Sequence, residues 1–458
     1  MRKRSQRKRK THSCVKTPQL TTLSDAPHGF VAAFQQLLGG AAVPSIPKRR
    51  GRKPRVPLTQ VLPALTFHFM NGAGTLAQHF FQLFGVPWAD SSWSDRRARL
   101  PWQIFAELMQ RALRPLAQRR CHPEAFWRGW RLVALDGTQF SLTNTPQVKR
   151  AVKKAKSRRG RAAFAKLTTG VLLELGLHNP LAAAVGRQGQ SEWELARGLL
   201  SHLPKGVLLL ADRLHGCAAF AVEALAAGQR VGSHFLFRAR SNVKVKVIQR
   251  LKDGSRLVRV PVRQKGRPNQ IVQWLEVREI RVRVGRRGHR SQELRLWTSL
   301  LDGRRAPARE LAALYAQRWE HELYYRQLKR QLRKSGVLQS HTVETGAQEI
   351  AALVLCSALL AVERARAAAG HVPVLRVSFV KVLELLQPLW LTLELGEDLL
   401  SERQKNAFVK RFYEQMGRCV SAPRRRRSCP RAVRQPVSSW PRLLRNESVE
   451  GPVQFQIL

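Results

Sequence analysis

Apolar residues recur at helical spacing through the first quarter of the chain and in short runs or alternation through its middle. FVAAFQQLLGG, LTQVLPALTFHFMNG and WQIFAELMQRALRPLAQ each show the three-to-four-residue apolar period of a helix with one buried face, so residues 25–130 are expected to be mainly helical. From Arg131 the period changes. RLVAL, TTGVLLELGL and PLAAAVG are strand-like runs with little room for a helix between them, which suggests the antiparallel opening of a mixed sheet.

SEWELARGLLSHL (191–203) opens on a Ser-x-x-Glu capping box and is apolar at helical spacing. GVLLLAD then returns to strand and HGCAAFAVEALAAG (215–228) to helix. This β-β-β-α-β-α order is that of a ribonuclease H-like core. After the strand SHFLFRARS, residues 241–293 alternate Val or Ile with Arg or Lys, with turns at Asp253-Gly254 and near Gly266. They are expected to form a β-rich insertion with one cationic face, after which ELRLWTSLLD resumes the main sheet. Residues 348–369 are a further helix, and the chain is expected to become less regular beyond Pro388. IAALVLCSALLAV (350–362) is too short to span a bilayer and predicts a buried core helix.

The fold class is therefore α/β, a ribonuclease H-like mixed-sheet core with a β-rich insertion, preceded by a helical region. The expected divisions are a basic arm at 1–24, the helical region at 25–130 and the core at 131–240 and 294–370. The insertion occupies 241–293, and a C-terminal region with a basic tail covers 371–458.

Composition changes the picture most through charge. The 458 residues hold 81 Lys and Arg against 30 Asp and Glu, a formal charge of +51. Self-repulsion makes such an excess costly unless a polyanion relieves it, and nucleic acid does so with counterion release; the helical N-terminal region 25–130 is expected to be a DNA-binding region. A hydrophobic content of 44% implies folded domains rather than a packaging protein. MRKRSQRKRK has no apolar stretch behind it and is not read as a secretory signal. The flanked Arg-Gly-Arg at 47–55 resembles a minor-groove AT-hook, against the simpler reading of a solvated linker. The basic stretch 148–166 is a solvated hairpin loop or, close to an acidic site, a DNA contact. Six scattered cysteines without a Cys-x-x-Cys pair fit free thiols in a reducing cytosol.

Acid is scarce, which sharpens the search for chemistry. Of eight aspartates, Asp136, Asp212 and Asp302 directly follow strand-like runs. Cleaving a phosphodiester needs a cationic clamp on the attacking and leaving oxygens, and Mg²⁺ takes oxygen ligands at one or two carboxylates per ion. Asp136 and Asp212 at neighbouring strand ends, with a third carboxylate from a packed helix, would supply it. Glu322 is the preferred third group. At about 100° per residue, Tyr315, Arg318, Glu322 and Lys329 share one helix face within about 60°. Asp302-Gly303 reads as a simple turn.

Tyr-x2-Arg-x3-Glu-x6-Lys, as carried by these four residues, resembles the signature of the DDE transposases of bacterial insertion sequences, the branch typified by insertion sequence four. Asp136-Gly137-Thr138 and Ala211-Asp212-Arg213 are similar to that family's first and second acidic motifs. The resemblance implies that Asp136, Asp212 and Glu322 are catalytic and hold two Mg²⁺ ions, with Mn²⁺ as a substitute. It implies that Tyr315, Arg318 and Lys329 grip DNA phosphates.

The implied activity is cleavage at transposon ends, followed by attack of the freed 3′-hydroxyl on target DNA; some relatives pass through a hairpin. The implied partners are double-stranded DNA at ends and target, and a second copy in a two-end complex. The implied place is the bacterial cytoplasm at the nucleoid, with no membrane. The rival readings are a ribonuclease H-like nuclease or resolvase and a non-catalytic DNA-binding descendant.

Two departures stand out. Leu214-His215-Gly216 follows Asp212 where the family often has Gly plus an aromatic, and His215 reads as a helix-start histidine. Trp274 and Trp297 are candidates for stacking a flipped base, against the simpler reading of both as core. Trp319 is expected to pack on the sheet.

Overall fold

A computed structural model describes residues 25–45, 55–71, 73–157, 160–285, 291–333, 335–422 and 454–457. The arm 1–24, the AT-hook-like segment apart from Arg55, and the RRRR run at 424–427 lie outside the described residues.

Five helices open the described chain: α1 (Phe30–Leu37), α2 (Leu58–Met70), α3 (Leu76–Phe84), α4 (Asp90–Ala98) and α5 (Trp102–Ala112). The sheet then begins with β1 (Trp130–Ser141), and the short helix α6 (Pro146–Ala151) leads to β2 (Lys166–Glu174) and β3 (Asn179–Gly186). Next come α7 (Glu192–Leu199), β4 (Val207–Ala211), α8 (Ala218–Gln229) and β5 (His234–Arg238). The insertion supplies β6 (Lys246–Arg250), β7 (Arg256–Gln264) and β8 (Arg267–Gly285), and β9 (Gln292–Thr298) returns from it. The remaining elements are α9 (Ala308–Tyr315), α10 (Trp319–Arg326), α11 (Val343–Ala368), α12 (Phe379–Leu395), α13 (Glu402–Arg418) and β10 (Gln454–Ile457).

Strand order is β3-β2-β1-β4-β5-β9-β8-β7-β6, with β10 alongside the end of β8. β1 is antiparallel to β2 and parallel to β4, β2 is antiparallel to β3, and β4 is parallel to β5. The first five strands thus have the order and directions of a ribonuclease H-like sheet. The insertion does not build a sheet of its own; β9 bonds both β5 and β8 and carries the main sheet outward.

Alternation along β1 feeds two cores. Leu132 and Ala134 join one hydrophobic cluster, while Val133 and Leu135 join the other. The first cluster also takes in Phe30, Val61 and Ile104 from the opening helices and most of α11. α11 is apolar and long enough to cross a membrane, but 94% of its most apolar window is buried inside the protein, so it is the core helix that its sequence predicts.

The expectation of irregular chain beyond Pro388 is corrected. Pro388 sits inside α12, and α13 follows it. Proline deprives the carbonyl four residues back of its partner. Here that carbonyl belongs to Glu384, an exposed residue, and α12 runs on through the proline.

Candidate active site

Strand register sets the first two carboxylates side by side. The parallel β1–β4 ladder ends at the pair Leu135–Ala211, so Asp136 and Asp212 are each the next residue on neighbouring strands. β1 does not stop at Asp136, as its apolar run suggested. It continues to Ser141, paired on its other side with β2. Past Ala211 β4 no longer pairs with it; Tyr325 takes the carbonyl of Asp136, and Val337 bridges to Ser141.

The two aspartates live in different electrostatic conditions. Burial first, and then the charge of Asp212, push the Asp136 carboxyl up to about 7, against the pull of Arg318 and the Gly137 N–H. Burial acts upward on Asp212 too, but hydrogen bonds and charge from His215 and the N–H of Leu214 hold it below the ordinary aspartate value. Its Oδ1 accepts from Leu214 N at 2.8 Å and from His215 Nδ1 at 3.0 Å. His215 is thus more than a helix-start residue: its ring is fully buried 5.0 Å from Phe220 and bonded to Asp212. Gly216 is required beside it, because a Cβ there would lie 1.8 Å from the Arg238 carbonyl oxygen on β5.

The segment carrying Glu322 is not one continuous α-helix. A 3₁₀ turn (Ala316–Arg318) separates α9 from α10, and a π turn (Gln327–Leu332) ends α10. Both alter the uniform rotation assumed from sequence. The four signature residues nevertheless gather over the ends of β1 and β4. Arg318 donates to Asp136 Oδ2 at 3.3 Å and to Glu322 Oε1 at 2.6 Å, bridging the first and third carboxylates. Tyr315 is buried and donates its hydroxyl to the carbonyl of Ala211 at 3.3 Å. Lys329 reaches Thr138 Oγ1 and lies over the Phe140 ring at 5.3 Å. Burial, then Arg333 and Lys166, lower its pKa. Tyr325, which the sequence did not single out, donates to the carbonyl of Asp136 at 2.7 Å. Trp319 does not pack on the sheet; it is 56% exposed, because the face of α10 turned to the core is taken by His321, Tyr324 and Tyr325.

Sequence reasoning passed over Glu192. It lies beside the Ser191–Glu194 capping box at the start of α7, and its Oε1 accepts from the Gly137 N–H at 3.1 Å. A Cβ on Gly137 would collide with Glu192 Cγ at 2.2 Å, so the glycine of the Asp-Gly-Thr motif makes room for this side chain. The signal was present in sequence only as an acid at the first position of a helix following β3. Asp302 stays apart: it is exposed and accepts from Arg304 N at 2.8 Å, the turn its sequence suggested.

Beyond Asp212 lies a cavity of about 630 Å³ whose lining includes Arg213, Arg238, Lys244, Arg256, Arg281 and Arg295. Trp297 is core, fully buried with Nε1 donating to Glu279 at 3.0 Å. Trp274 is not core. It is 42% exposed with the Lys246 ammonium 5.0 Å from its ring centre, on an outer part of the insertion where Ile271 and Val272 are exposed as well.

Among the described residues no three His, Cys, Asp or Glu side chains close into a metal-ligand cluster. The carboxylates nonetheless fit a hard cation. Their donors are all oxygen, Asp136 and Asp212 directly follow the last paired residues of adjacent strands, and the Arg318 guanidinium stands between two of the carboxylates where a cation is called for.

Residues 127–359 match the family described as Transposase DDE domain. The chain is 27% identical over 357 residues to the transposase InsG for insertion sequence element IS4 of Escherichia coli (strain K12), covering 74% of this chain and 76% of that one. Its fold was also matched to the piggyBac transposase in a synaptic complex with hairpin DNA, at 9% identity and a TM-score of 0.42 over 91% of this chain and 86% of that one. At that level the match adds nothing to the fold already described.

Proposed function

The chain belongs to the DDE transposase family, and from that premise we propose that Asp136, Asp212 and Glu322 are the metal-binding triad of its DNA transposition reaction. The activity itself, nuclease and transesterase chemistry on DNA, goes with the family, whose members use divalent metal ions. The observation that carries the triad is the Arg318 bridge between Asp136 and Glu322, with Asp212 one strand away.

The ions are assigned as two Mg²⁺, with Mn²⁺ as a substitute; Asp136, Asp212 and Glu322 would hold them, and they would supply positive charge to the attacking and leaving oxygens. Asp136, whose carboxyl burial and Asp212 push up to about 7, would hold a cation in its ionised form. Arg318, released from the carboxylates, turns to a backbone phosphate of the element end. Lys329 supplies a second cation beyond Thr138, and Tyr315 fixes the end of β4 just before Asp212. The cationic cavity next to Arg213 receives DNA backbone, and exposed Trp274, not Trp297, is the aromatic face offered to a base. The partners are double-stranded DNA, at transposon ends and target, and a second copy of the chain in a two-end complex. The setting is the bacterial cytoplasm at the nucleoid.

The test is incubation of purified protein and Mg²⁺ with labelled DNA carrying the two flanks of its own gene, wild type beside Glu322→Gln. The expected result is nicking at one flank position with joined products from wild type alone. Nicking by Glu322→Gln at the wild-type rate would remove Glu322 from the triad. Cutting without end preference would favour a nuclease.

A further inference from the structure

Gly137 lies where β1 has lost β4 as a neighbour, and its N–H is taken up by two carboxylates at once. Asp136 Oδ1 accepts from it at 2.8 Å and Glu192 Oε1 at 3.1 Å. The two acids arrive from different elements, one from β1 and the other from the first position of α7. Gly137 has no side chain that could keep them apart. Glu192 also feels the charges of His215 and Asp212. His215 stands against Asp212 through Nδ1, is fully buried, and leaves Nε2 without a hydrogen-bond partner. A helix-capping role does not account for Glu192, because Ser191 and Glu194 already make both bonds of the capping box.

We propose that Glu192 is a fourth carboxylate of the cleavage site, turned toward the same divalent metal as Asp136 and Asp212. The proposal rests on the triad reading. One N–H satisfies only part of the acceptor capacity of two carboxylates; Asp136 takes a further bond from Arg318 on Oδ2, and both side chains reach the same amide just past the end of the β1–β4 ladder. A hard cation with a preference for six or more oxygens takes such ligands from either side of one backbone amide. In this arrangement Asp136 would supply one carboxylate from β1 and Glu192 another from the start of α7.

The variant Glu192→Gln separates charge from hydrogen bonding. A glutamine oxygen still accepts from the Gly137 N–H and still fits against the glycine, so a structural role survives the change while a ligand role does not. The experiment is calorimetric titration of Mn²⁺ into the full chain bound to a duplex of its own element end. Wild type is compared with Glu192→Gln and Asp136→Asn, and each protein's fold is checked by circular dichroism and melting.

Glu192→Gln is expected to bind Mn²⁺ about tenfold or more weaker, with Asp136→Asn at least as weak. Wild-type Mn²⁺ affinity in Glu192→Gln beside a loss in Asp136→Asn would overturn the proposal and leave the triad standing. Wild-type affinity in both would overturn the triad reading along with it. Should the glutamine variant fold poorly, Glu192→Cys gives an independent readout. Its affinity is expected to move from Mn²⁺ toward Cd²⁺, with a cadmium–thiolate ultraviolet band stronger than that of wild type. A band equal to that of wild type would count against the proposal.

Discussion

Lys329 donates its ammonium to the hydroxyl of Thr138, tying the π turn after α10 to the third residue of the Asp-Gly-Thr motif. All three motif residues thereby acquire a physical reason: a carboxylate that Arg318 bonds, a space that Glu192 fills, and an acceptor for a partly buried lysine. Lys329→Ala is expected to weaken binding to element-end DNA and to reduce the slope of log affinity against log salt by about one. Thr138→Val keeps the lysine charge and should leave the slope unchanged. Fluorescence anisotropy across a salt series checks both. An unchanged slope in Lys329→Ala would show that the lysine stays on Thr138 when DNA is bound.

The raised Asp136 carboxyl makes stability depend on pH in a defined direction. Its folded-state pKa, about 7, lies above its ordinary value of 3.8. The folded chain therefore keeps a proton that the unfolded chain releases, and metal-free protein loses stability as pH rises between those values. At about 1.4 kcal/mol per unit, the loss is at most on the order of 4 kcal/mol. Asp136→Asn should lack this slope. Urea unfolding of chelator-treated wild type and variant from pH 4 to 8 measures the difference, which includes the response of Asp212 and Glu192, the acids coupled to Asp136; parallel curves would refute the assignment.

Arg318 is mostly buried between Asp136 and Glu322. Arg318→Met keeps the aliphatic stem and leaves both carboxylates without their cation. Breaking a pair of this kind is expected to cost about 2 kcal/mol, below the range for fully buried pairs because Glu322 is partly exposed. Mg²⁺ should restore more stability to Arg318→Met than to wild type, read as the larger rise in melting temperature. An equal rise in both would mean that the carboxylates do not share the metal.

The sheet and its acidic ends were legible because strand periods, the capping box and aspartates after apolar runs are local signals. What escaped had tertiary causes. The 3₁₀ and π turns around Glu322 leave no mark in residue spacing, so four residues placed on one ideal helix face reach the site by a different path. Trp319 and Trp274 read as core by residue type, yet their neighbours fill the core without them. Glu192 drew no notice beside the Ser191–Glu194 capping box because nothing in the sequence announces that Gly137 is next to it. Pro388 was taken as a helix breaker, and only its exposed setting explains why α12 continues.

His215 orients Asp212 from behind, so its removal should affect the chemical step rather than DNA binding. His215→Phe preserves the ring against Phe220 and deletes the bond to Asp212 Oδ1. Cleavage is expected to slow by about ten- to a hundredfold, as for other groups that orient a metal ligand. End affinity should stay within about twofold by the same reasoning. A matching loss of affinity and cleavage would point to collapse of the β4–α8 turn instead.

The insertion is fastened to the catalytic helices through Arg278, a fully buried side chain on β8. It donates to Ser255 Oγ at 2.7 Å and to the carbonyls of Leu300 and Ala306, and it pairs with Asp253 in the β6–β7 turn. Asp253 Oδ2 in turn accepts from Ala308 N at 2.9 Å, at the first residue of α9. The tip of the inserted hairpin thus holds the start of the helical run that carries Glu322. Arg278→Leu leaves Asp253 and the carbonyls without their donor and should destabilise the protein by about 3–5 kcal/mol. Adding Asp253→Asn removes the stranded charge and should recover part of that loss, since the two changes share one network. Chemical denaturation of the two variants measures the coupling. Strictly additive losses would show that Arg278 acts through its carbonyl contacts alone, and that the hairpin tip does not hold α9 through the ion pair.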